Sequence, residues 1–521
     1  MNDSDEGLAA SRYIQLESIR FPYLRRARRA CAVTIPALLD QTETSTPGQE
    51  DHPTPSQSIG ARGLNNLASK LLLALFPPNE PFVKLTVEDF VFERIAKQNG
   101  EEDVSKVKSA YEEALTRVEQ AILGESESMA LRVDAHEALK HLLAAGNVCF
   151  YVPPTGTAKV YHLDRYVCKR DGRGAVLEII VKEMSVPRGL PPEVRVALKV
   201  DIEDDSPIAI YTRVTRGDKG WEVCQEGNGV ELPGSRGRYA LDKCPYLALR
   251  CVKRDGEDYG RSYIEEYQGD LNSVESLSKS INESSAACAK TLFLVKPSAV
   301  TKVSNLARAA NLSFVQGLPD DIRTLQLDKG HDLTVAANQA AKVEDRLRFA
   351  FLLNASVQRA GERVTAEEIR YVAQELEDTL GGLYSLTAQE FQYPLAGLIM
   401  DRMQKAKKLP KLPSNLVKPS VVTGISAIGR GHDRMKLTAF LSDGQAVFGP
   451  ETMQRYVNVR EALSRRAVSD GIVTNGLIYT EDEIAEKDAQ QHDAQMQLAA
   501  VPNTVNAQAA QDAAGAAQPA Q

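Results

Sequence analysis

The chain lacks the features that mark secreted, membrane-spanning or disulfide-bonded proteins. Its N-terminus, MNDSDEGLAASRYIQ, has no basic segment followed by an apolar one, so we expect no signal peptide. The longest apolar run, residues 71–76, ends at two prolines and falls far short of the roughly 20 residues that span a bilayer. The seven cysteines are odd in number and show no C-x-x-C spacing. They favour reduced thiols in a cytoplasmic protein.

The chain also has no excess of positive charge: it contains 62 Lys and Arg residues against 70 Asp and Glu. The 521 residues carry a formal net charge of -8. A mildly acidic chain argues against tight, permanent wrapping of nucleic acid, because such binding needs a basic surface. The composition, 43% hydrophobic and 25% charged, is that of an ordinary globular protein. At roughly 150 residues per domain, the length predicts about three or four domains or lobes.

Catalytic and metal-binding signatures are missing or incomplete. His136 and His141 resemble the zinc-protease pattern H-E-x-x-H, but the second histidine comes five residues after the first. On a helix the two imidazoles then point in different directions and cannot share a metal. The chain has no phosphate-binding G-x-x-x-x-G-K-[ST], no dinucleotide-binding glycine spacing and no G-x-S-x-G. The acidic run Glu375, Glu377 and Asp378 is better explained as a solvated helix face. The sequence therefore predicts no enzyme, no metal and no cofactor.

The predicted fold class is α+β and mainly helical. Apolar residues at helical spacing predict three N-terminal helical regions, at about 11–39, 61–76 and 101–146. We expect the third region to form two helices, interrupted near Gly124, Glu125 and Ser126, and the second of these to end at a capping Gly146. From about 148 to 250 the pattern changes to short β-rich runs separated by Pro, Gly and Asp turns. Helices return after Gly260, and the Ala- and Gln-rich residues 486–521 are predicted to be disordered.

Two striped helices flank an irregular insertion. The first helix carries an apolar stripe whose members are three or four residues apart: Ile264, Tyr267, Leu271, Val274, Leu277 and Ile281. The second helix has a similar stripe: Ala340, Val343, Leu347, Ala350 and Phe351. Stripes of this kind suit packing against a neighbouring helix.

A polar loop and a capped helix follow. The loop, residues 354–364, contains Arg359 and Arg363. Thr365 with Glu368 three residues later forms a capping box that fixes where the next helix begins. Gly381 and Gly382 each cost roughly 1 kcal/mol relative to alanine in a helix, so we expect a bend there. Taken alone, these residues favour an ordinary solvent loop whose arginines bridge to nearby acids.

Five long stretches of the sequence resemble the portal, or head-to-tail connector, proteins of short-tailed bacteriophages of the podovirus and autographivirus type. These stretches are GARGLNNLASKLLLALFP at 60–77, EALKHLLAAGNV at 137–148, DGEDYGRSYIEEYQGDL at 255–271, QRAGERVTAEEIRYVAQELEDTLGG at 358–382 and TGISAIGRGHD at 423–433. The resemblance runs in order from about residue 15 to 485. It weakens at 173–238 and in the C-terminal tail.

The resemblance implies a portal fold with a wing, a stem, a clip and a crown. Its implied boundaries are 1–260 for the wing with the β-rich module at about 148–250, 261–290 for the first stem helix, 291–334 for the clip, 335–353 for the second stem helix, 354–364 for the channel (tunnel) loop, 365–410 for a long kinked wing helix, 411–485 for the crown and 486–521 for the tail. The loop interpretation is thereby reversed. The resemblance implies that Asn354, Gln358, Arg359 and Arg363 contact DNA in a channel.

The resemblance also implies a function in the virion. It implies a homo-oligomeric ring of twelve subunits at one capsid vertex, made in the host cytoplasm. Double-stranded DNA would pass through this ring without sequence-specific contacts. The implied partners are the terminase large subunit, the major capsid and scaffolding proteins, tail adaptor or nozzle proteins and internal core proteins, with no membrane.

The charge of the chain agrees with a conduit. Twelve copies at -8 give a ring charge on the order of -96, and like charge keeps moving DNA from adhering to the walls. Two alternatives stay open at this point. One is another structural ring or adaptor protein of the virion, and the other is a soluble enzyme whose site carries no recognised motif.

Overall fold

The computed structural model describes thirteen segments of the chain and a few further positions up to residue 466. The segments are residues 9–41, 52–78, 81–86, 104–289, 292–298, 302–310, 313–314, 316–325, 330–353, 381–382, 385–409, 418–420 and 429–457. The chain divides into two units, Met1–Ile428 and Gly429–Gln521. The first unit contains both helices and sheets, so its described part has the α+β character expected from the sequence.

The N-terminal part of the first unit is helical. Its helices are α1 (Ala9–Ala32), α2 (Ile59–Leu75), α3 (Val104–Ser128) and α4 (Leu131–Ala145). The leucine stripe of α2 (Leu64, Leu67, Leu71 and Leu75) is completely buried. Helix α4 ends at Gly146, whose φ of 76° places it in the left-handed region as predicted. A Cβ at Gly146 would come within 2.6 Å of the Ser262 amide nitrogen, so only glycine fits there.

The predicted interruption of the third helical region is present, but it lies about four residues later than expected. Helix α3 continues through Gly124 to Ser128, and the chain turns instead at Ala130, which has a left-handed φ of 51°. A single glycine lowers helix stability by only about 1 kcal/mol. Burial of Leu115 and Ile122 on the same helix outweighs that loss.

A β-rich module follows, with its strands where the alternating runs predict them. They are β2 (Asn147–Tyr151), β3 (Lys159–Tyr161), β4 (Tyr166–Arg170), β5 (Val176–Ser185), β6 (Ile208–Gly217), β7 (Gly220–Gly227), β8 (Val230–Glu231), β9 (Gly237–Tyr239) and β10 (Tyr246–Arg250), after the short β1 (Lys84–Thr86). Strands β4 to β8 form an antiparallel sheet in sequence order, and β9 also pairs with β7. A second sheet has the order β10-β2-β3. The short helix α5 (Pro192–Leu198) lies between β5 and β6.

Helix α1 is fixed to the larger sheet by buried polar groups. The Arg20 guanidinium donates to the carbonyl oxygens of Asp164 and Tyr166 at 2.6 and 3.0 Å, and it pairs with Glu17 at 2.7 Å. Tyr13 packs in a small cluster with Val167 and donates its hydroxyl to the Asp164 carbonyl. Burial without these bonds would be costly for a guanidinium, so α1 has one defined position.

We call the described part of the chain up to residue 260 the body. The rest of the first unit extends from the body and then returns to it. It contains α6 (Tyr263–Glu266), α7 (Gln268–Cys288), β11 (Leu292–Val295), α8 (Val303–Ala307), β12 (Ile322–Leu325) and α9 (Gly330–Ala350). The return to the body includes a π-helix (Ala388–Gln392), α10 (Tyr393–Lys405) and β13 (Lys418–Ser420), which pairs with β1.

The described part of the second unit is helical. It has α11 (Gly429–Phe448) and α12 (Pro450–Tyr456). Met453 of α12 packs against Gly444 of α11, where a Cβ would lie within 2.8 Å of the Met453 sulfur. In the portions of both units that the structure describes, no helix is long and apolar enough to cross a membrane.

Candidate functional site

The two striped helices, α7 and α9, form an antiparallel pair. Arg346 near the end of α9 bonds to Asp270 in the first turn of α7, with 2.7 Å between Nη2 and Oδ1. Leu271 and Val274 of α7 share the main core with Val343 and Leu347 of α9, and all four are buried. The bounds differ slightly from those expected. The outward helix is broken at Tyr267, and the return helix begins at Gly330 instead of about residue 335.

Burial decreases along this helix pair with distance from the body. Leu277 and Ile281, the last two members of the predicted α7 stripe, are only half-buried. Val335 in the first half of α9 is more than half exposed. The stripes are therefore covered within one chain only near the body.

A small module connects the far ends of the two helices. Strands β11 and β12 pair antiparallel, from Leu292 opposite Leu325 to Val295 opposite Ile322. The amide of Lys296 donates to the Asp321 carbonyl at 3.0 Å and extends this pairing. The apolar side chains Leu294, Val303, Phe314 and Leu318 are all exposed. The described part of the module therefore has a defined backbone and an apolar surface.

Helix α2 and α6 hold the C-terminal end of α9. Asn66 donates from its amide to the carbonyls of Phe351 and Leu352, at 2.9 and 3.0 Å. The Lys70 ammonium donates to the Leu352 carbonyl at 2.9 Å, and the Tyr263 hydroxyl donates to the Ala350 carbonyl at 2.9 Å. A helix C-terminus has carbonyls without helical partners and a partial negative charge, so these donors satisfy and neutralise it.

We call these contacts on the C-terminal end of α9 the clamp, and close packing completes it. Phe351 is fully buried, and its ring lies against Gly63, where a Cβ would be only 2.4 Å from ring carbons. Leu352 has a left-handed φ of 52°, which turns the chain out of the helix. The sequence did not identify Gly63, Asn66 or Lys70 as functional. The only signal was two polar residues four apart on the leucine-rich α2.

Hydrogen bonds also anchor the N-terminal part of the helix pair to the body. The Ser262 hydroxyl accepts from the Ile264 amide at 3.0 Å and donates to the Leu143 carbonyl at 2.9 Å. Glu265 accepts from the Ser262 amide and completes a capping box. On α7, the Glu275 carboxylate accepts from the amides of Ser56 and Gln57, at 2.9 and 3.2 Å.

The helix pair carries little net charge. Helix α7 has three acids and one lysine, and α9 has three acids and three bases other than histidine, which gives -2 for the pair. Arg346 and Arg348 are both engaged with acids of the pair. These helices therefore present no basic surface.

Most of the predicted site residues fall outside the described residues. They are Asn354, Gln358, Arg359, Arg363, Thr365 and Glu368. The described segment 330–353 ends at Leu353, directly after the clamp. Gly381 and Gly382 are helical, and a Cβ at either would meet no other atom within 4 Å.

The described residues after Gly382 contain a helical irregularity that the sequence did not indicate. In the π-helix, Phe391 is buried against Phe76 and Phe150, and Glu390 pairs with Arg250. Gln392 donates to the Leu75 carbonyl at the end of α2. Extra residues in a helical turn redirect the helix axis, so this anchored turn sets the direction of α10.

The two histidines of the incomplete zinc pattern occupy separate environments. His136 lies beside the Ser69 hydroxyl at 3.3 Å, whereas His141 is buried and stacks on His162 with 5.8 Å between ring centroids. Burial, together with the neighbouring His162, lowers the pKa of His141 to about 3. Over the described ranges, no three His, Cys, Asp or Glu side chains come together in a way that could hold a metal.

Comparison with known proteins identifies related chains. The family model described as "Bacteriophage head to tail connecting protein" matches residues 6–478. The chain is 41% identical to the portal protein of Escherichia phage T7, over 93% of this chain and 90% of the relative. It is 40% identical to the portal protein of Enterobacteria phage T3 (91% and 89% covered) and 30% identical to that of Enterobacteria phage SP6 (92% and 91% covered).

Proposed function

Because this chain belongs to the bacteriophage head-to-tail connecting proteins, we propose that its subunits form the portal ring at one vertex of a phage capsid. The family is structural, and the chain is not an enzyme. The ring has about twelve subunits, and double-stranded DNA enters and leaves the head through it. A separate terminase supplies the energy, in agreement with the missing phosphate-binding motif.

One observation carries this proposal at the level of the subunit. The helix pair α7 and α9 buries its stripes fully only near the body, whereas the distal stripe residues Leu277 and Ile281 are half-buried and Val335 is exposed. Surfaces of this kind are normally covered in an assembly, and a head-to-tail contact that closes produces a ring. The neighbouring subunits therefore cover the distal half of the pair.

The parts of the portal follow from this assignment. Helices α7 and α9 are the stem, and the β11–β12 module between them is the clip. The described body up to residue 260 belongs to the wing, α10 continues the long kinked wing helix, and the second unit with α11 and α12 belongs to the crown. The exposed apolar side chains of the clip, such as Leu294 and Leu318, supply a surface for the terminase large subunit and then for tail adaptor or nozzle proteins.

The loop 354–364 is the channel loop of this proposal. The clamp on Leu352 supports it, because a fixed base lets a polar loop extend without disturbing the body. Arg359 and Arg363, with Asn354 and Gln358, then meet phosphates of the passing duplex. Thr365 and Glu368 cap the following helix, and Gly381 and Gly382 allow it to bend.

Contacts between such a ring and the DNA that passes through it are expected to be weak. The stem helices carry -2 per subunit, or about -24 in a ring of twelve, and repel the duplex. A few arginines at one level centre it without holding it. The capsid and scaffolding proteins surround the wing, and internal core proteins meet the ring on the head side.

Native mass spectrometry of the purified chain tests the proposal. We expect closed rings of about twelve subunits, with some spread in number, and negative-stain images showing a stem and a wing. Any binding of duplex DNA should be independent of sequence and lost steeply with salt. A stable monomer at micromolar concentration and moderate salt would contradict the proposal, as would a ring without a stem, which fits another virion adaptor.

A further inference from the structure

One side of α1 is exposed and has an unusual composition. Ile14, Ser18, Phe21, Arg25 and Arg29 follow one another at steps of three or four residues, so they lie on one side of the helix, which we call the α1 outer face. Ile14 is 64% and Phe21 44% exposed. The opposite side is buried in the body. The α1 outer face therefore combines two large apolar side chains with two arginines over about 22 Å of helix, at 1.5 Å per residue.

The two arginines of this face are available for a partner. The other arginines of α1 are used inside the subunit: Arg12 pairs with Glu178, Arg20 with Glu17 and Arg26 with Glu265, and Arg28 donates to the Asp40 carbonyl. Arg25 and Arg29 are exposed, and neither side chain has an acidic partner among the residues that the structure describes.

A second exposed surface has the opposite charge. We call it the acidic tip and define it as residues 196–205, from the last turn of α5 to the chain before β6. Val196 is 79% and Ile202 45% exposed. Four acids (Asp201, Glu203, Asp204 and Asp205) and one lysine, Lys199, give the tip a formal charge of -3. The side chains of Glu203 and Asp205 have no partner in the described part of the chain.

A small apolar core and two turn hydrogen bonds stabilise the acidic tip. Val194 and Leu198 of α5 pack on Ile208, Ile210 and Leu232 in a separate small core. Asp201 and Asp204 accept from the amides of Glu203 and Ser206, at 3.4 and 2.8 Å, which shapes the turn. The tip therefore has a defined backbone and carries exposed apolar and acidic side chains.

We propose that the acidic tip of one subunit docks on the α1 outer face of the neighbouring subunit. This inference rests on the proposed ring, because a ring needs two different and mutually complementary surfaces on each chain. Val196 and Ile202 then cover Ile14 and Phe21, while Glu203 and Asp205 meet Arg25 and Arg29. Both surfaces are exposed in the single chain, so neither covers the other within one subunit.

A second copy of the chain fits the α1 outer face better than duplex DNA does. Phosphates would satisfy Arg25 and Arg29 but would leave Ile14 and Phe21 exposed to water. The tip offers apolar and acidic groups together, and charge complementarity fixes the register of such an interface.

Charge exchange between the two surfaces tests this pairing. One variant carries Arg25→Glu with Arg29→Glu, and the other carries Glu203→Lys with Asp205→Lys. Each variant alone places like charges opposite each other, so we expect loss of rings in native mass spectrometry at about 0.15 M salt. An equimolar mixture restores opposite charges at every contact. It should give rings that contain both variants in alternation and therefore an even number of subunits.

Matched controls carry the same charge changes elsewhere on the exposed surface. Arg216→Glu with Lys219→Glu alters the turn between β6 and β7, and Asp218→Lys with Asp242→Lys reverses two other exposed acids. Both controls should form rings like the wild type. Circular dichroism of every variant should match the wild type, which separates a lost interface from a lost fold.

The outcomes are distinct. Rings from the wild type and from the two single-surface variants alike would overturn this inference and leave the proposed function standing. Failure of the mixture to form rings would also overturn the pairing. Intact rings with weakened binding of duplex DNA after Arg25→Glu and Arg29→Glu would assign the face to nucleic acid instead. A wild type that stays monomeric would overturn the proposed function itself.

Discussion

The two ends of the helix pair α7 and α9 differ in what holds them. At the body end, Leu271, Val274 and Leu347 are buried, and the last carbonyls of α9 receive donors from Asn66 and Lys70. At the far end the stripes are half-exposed, and apolar side chains of the β11–β12 module face solvent. The comparison shows that one chain determines the base of the pair by itself. Under the proposed function, the far end gains its burial from other subunits or partners.

The largest effect is expected from shortening a buried side chain at the body end of the helix pair. Leu347 is fully buried, so Leu347→Ala should lower the free energy of unfolding by about 3 kcal/mol, as large-to-small core substitutions do. Leu277→Ala, in the half-buried part of α7, is the matched change and should cost about 1 kcal/mol or less. Urea unfolding of both variants at one low protein concentration measures the difference. Equal losses would show that a single chain fixes both ends alike.

Acid should also lower the free energy of unfolding of the body, through the buried His141. Burial and the adjacent His162 lower the pKa of His141 to about 3, against about 6.5 for a free histidine, and Asp164 and Lys140 also act on this group. The unfolded state then binds the proton first. The resulting stability is complete above about pH 6.5 and declines as pH falls towards 3, by up to about 1.4 kcal/mol per pH unit.

A pair of substitutions isolates this pH effect. His141→Gln should flatten the dependence of unfolding free energy on pH between about 6.5 and 4. His331→Gln, at the exposed start of α9, should leave the dependence as in the wild type. The measurement is the urea midpoint across that pH range. An unchanged slope in His141→Gln would assign the acid sensitivity to another group.

A smaller loss is expected from the clamp on α9. Asn66→Ala removes two hydrogen bonds to the carbonyls of Phe351 and Leu352, at a cost of about 1 to 2 kcal/mol. Asn65→Ala changes the neighbouring side chain on the same helix, for which no such bond is formed, and should stay within about 0.5 kcal/mol of the wild type. Hydrogen exchange of peptides covering 343–353 should rise only in Asn66→Ala. Equal exchange in both variants would show that packing of Phe351 alone holds this end.

The smallest effect on stability and the clearest effect on function are expected from the loop 354–364. Replacing residues 356–362 by a short Gly/Ser link, with Thr365 kept, should change the unfolding free energy by less than about 0.5 kcal/mol. Rings should remain intact, whereas packaging or retention of full-length DNA should fail in a phage complementation assay. Arg359→Glu with Arg363→Glu should give a milder defect. Normal, infectious heads would contradict a role of this loop in the channel, and loss of rings would place it in the packing core.

Local patterns in the sequence predicted local structure well. The leucine stripe of α2, the strands of the β-rich module and the glycine cap at Gly146 depend on periodicity and on backbone conformation, which neighbouring residues determine. The break between the third and fourth helices came a few residues after Gly124, because one residue's propensity is weak against burial of the whole helix.

Contacts between distant residues could not be predicted in this way. Gly63 gave no sign that it would face Phe351, nearly three hundred residues later, and Asn66 gave no sign that it would bond to the end of α9. The direction of the chain after the π-helix was missed for the same reason, since the anchor of Gln392 is the Leu75 carbonyl. The predicted channel-loop residues came from the resemblance alone, and they remain predictions.

The pairing of Leu292 with Leu325 has a consequence for how such a protein can evolve. The chain leaves and re-enters the helix pair at two adjacent strand ends, so α7 and α9 experience the same junction whatever lies between them. Doubling the length of an enclosed segment costs only about 0.6 kcal/mol in closure entropy. Insertions, deletions or a complete exchange of the enclosed segment are therefore tolerated by the body. Changes in the segment between β11 and β12 therefore place little demand on the body that carries it.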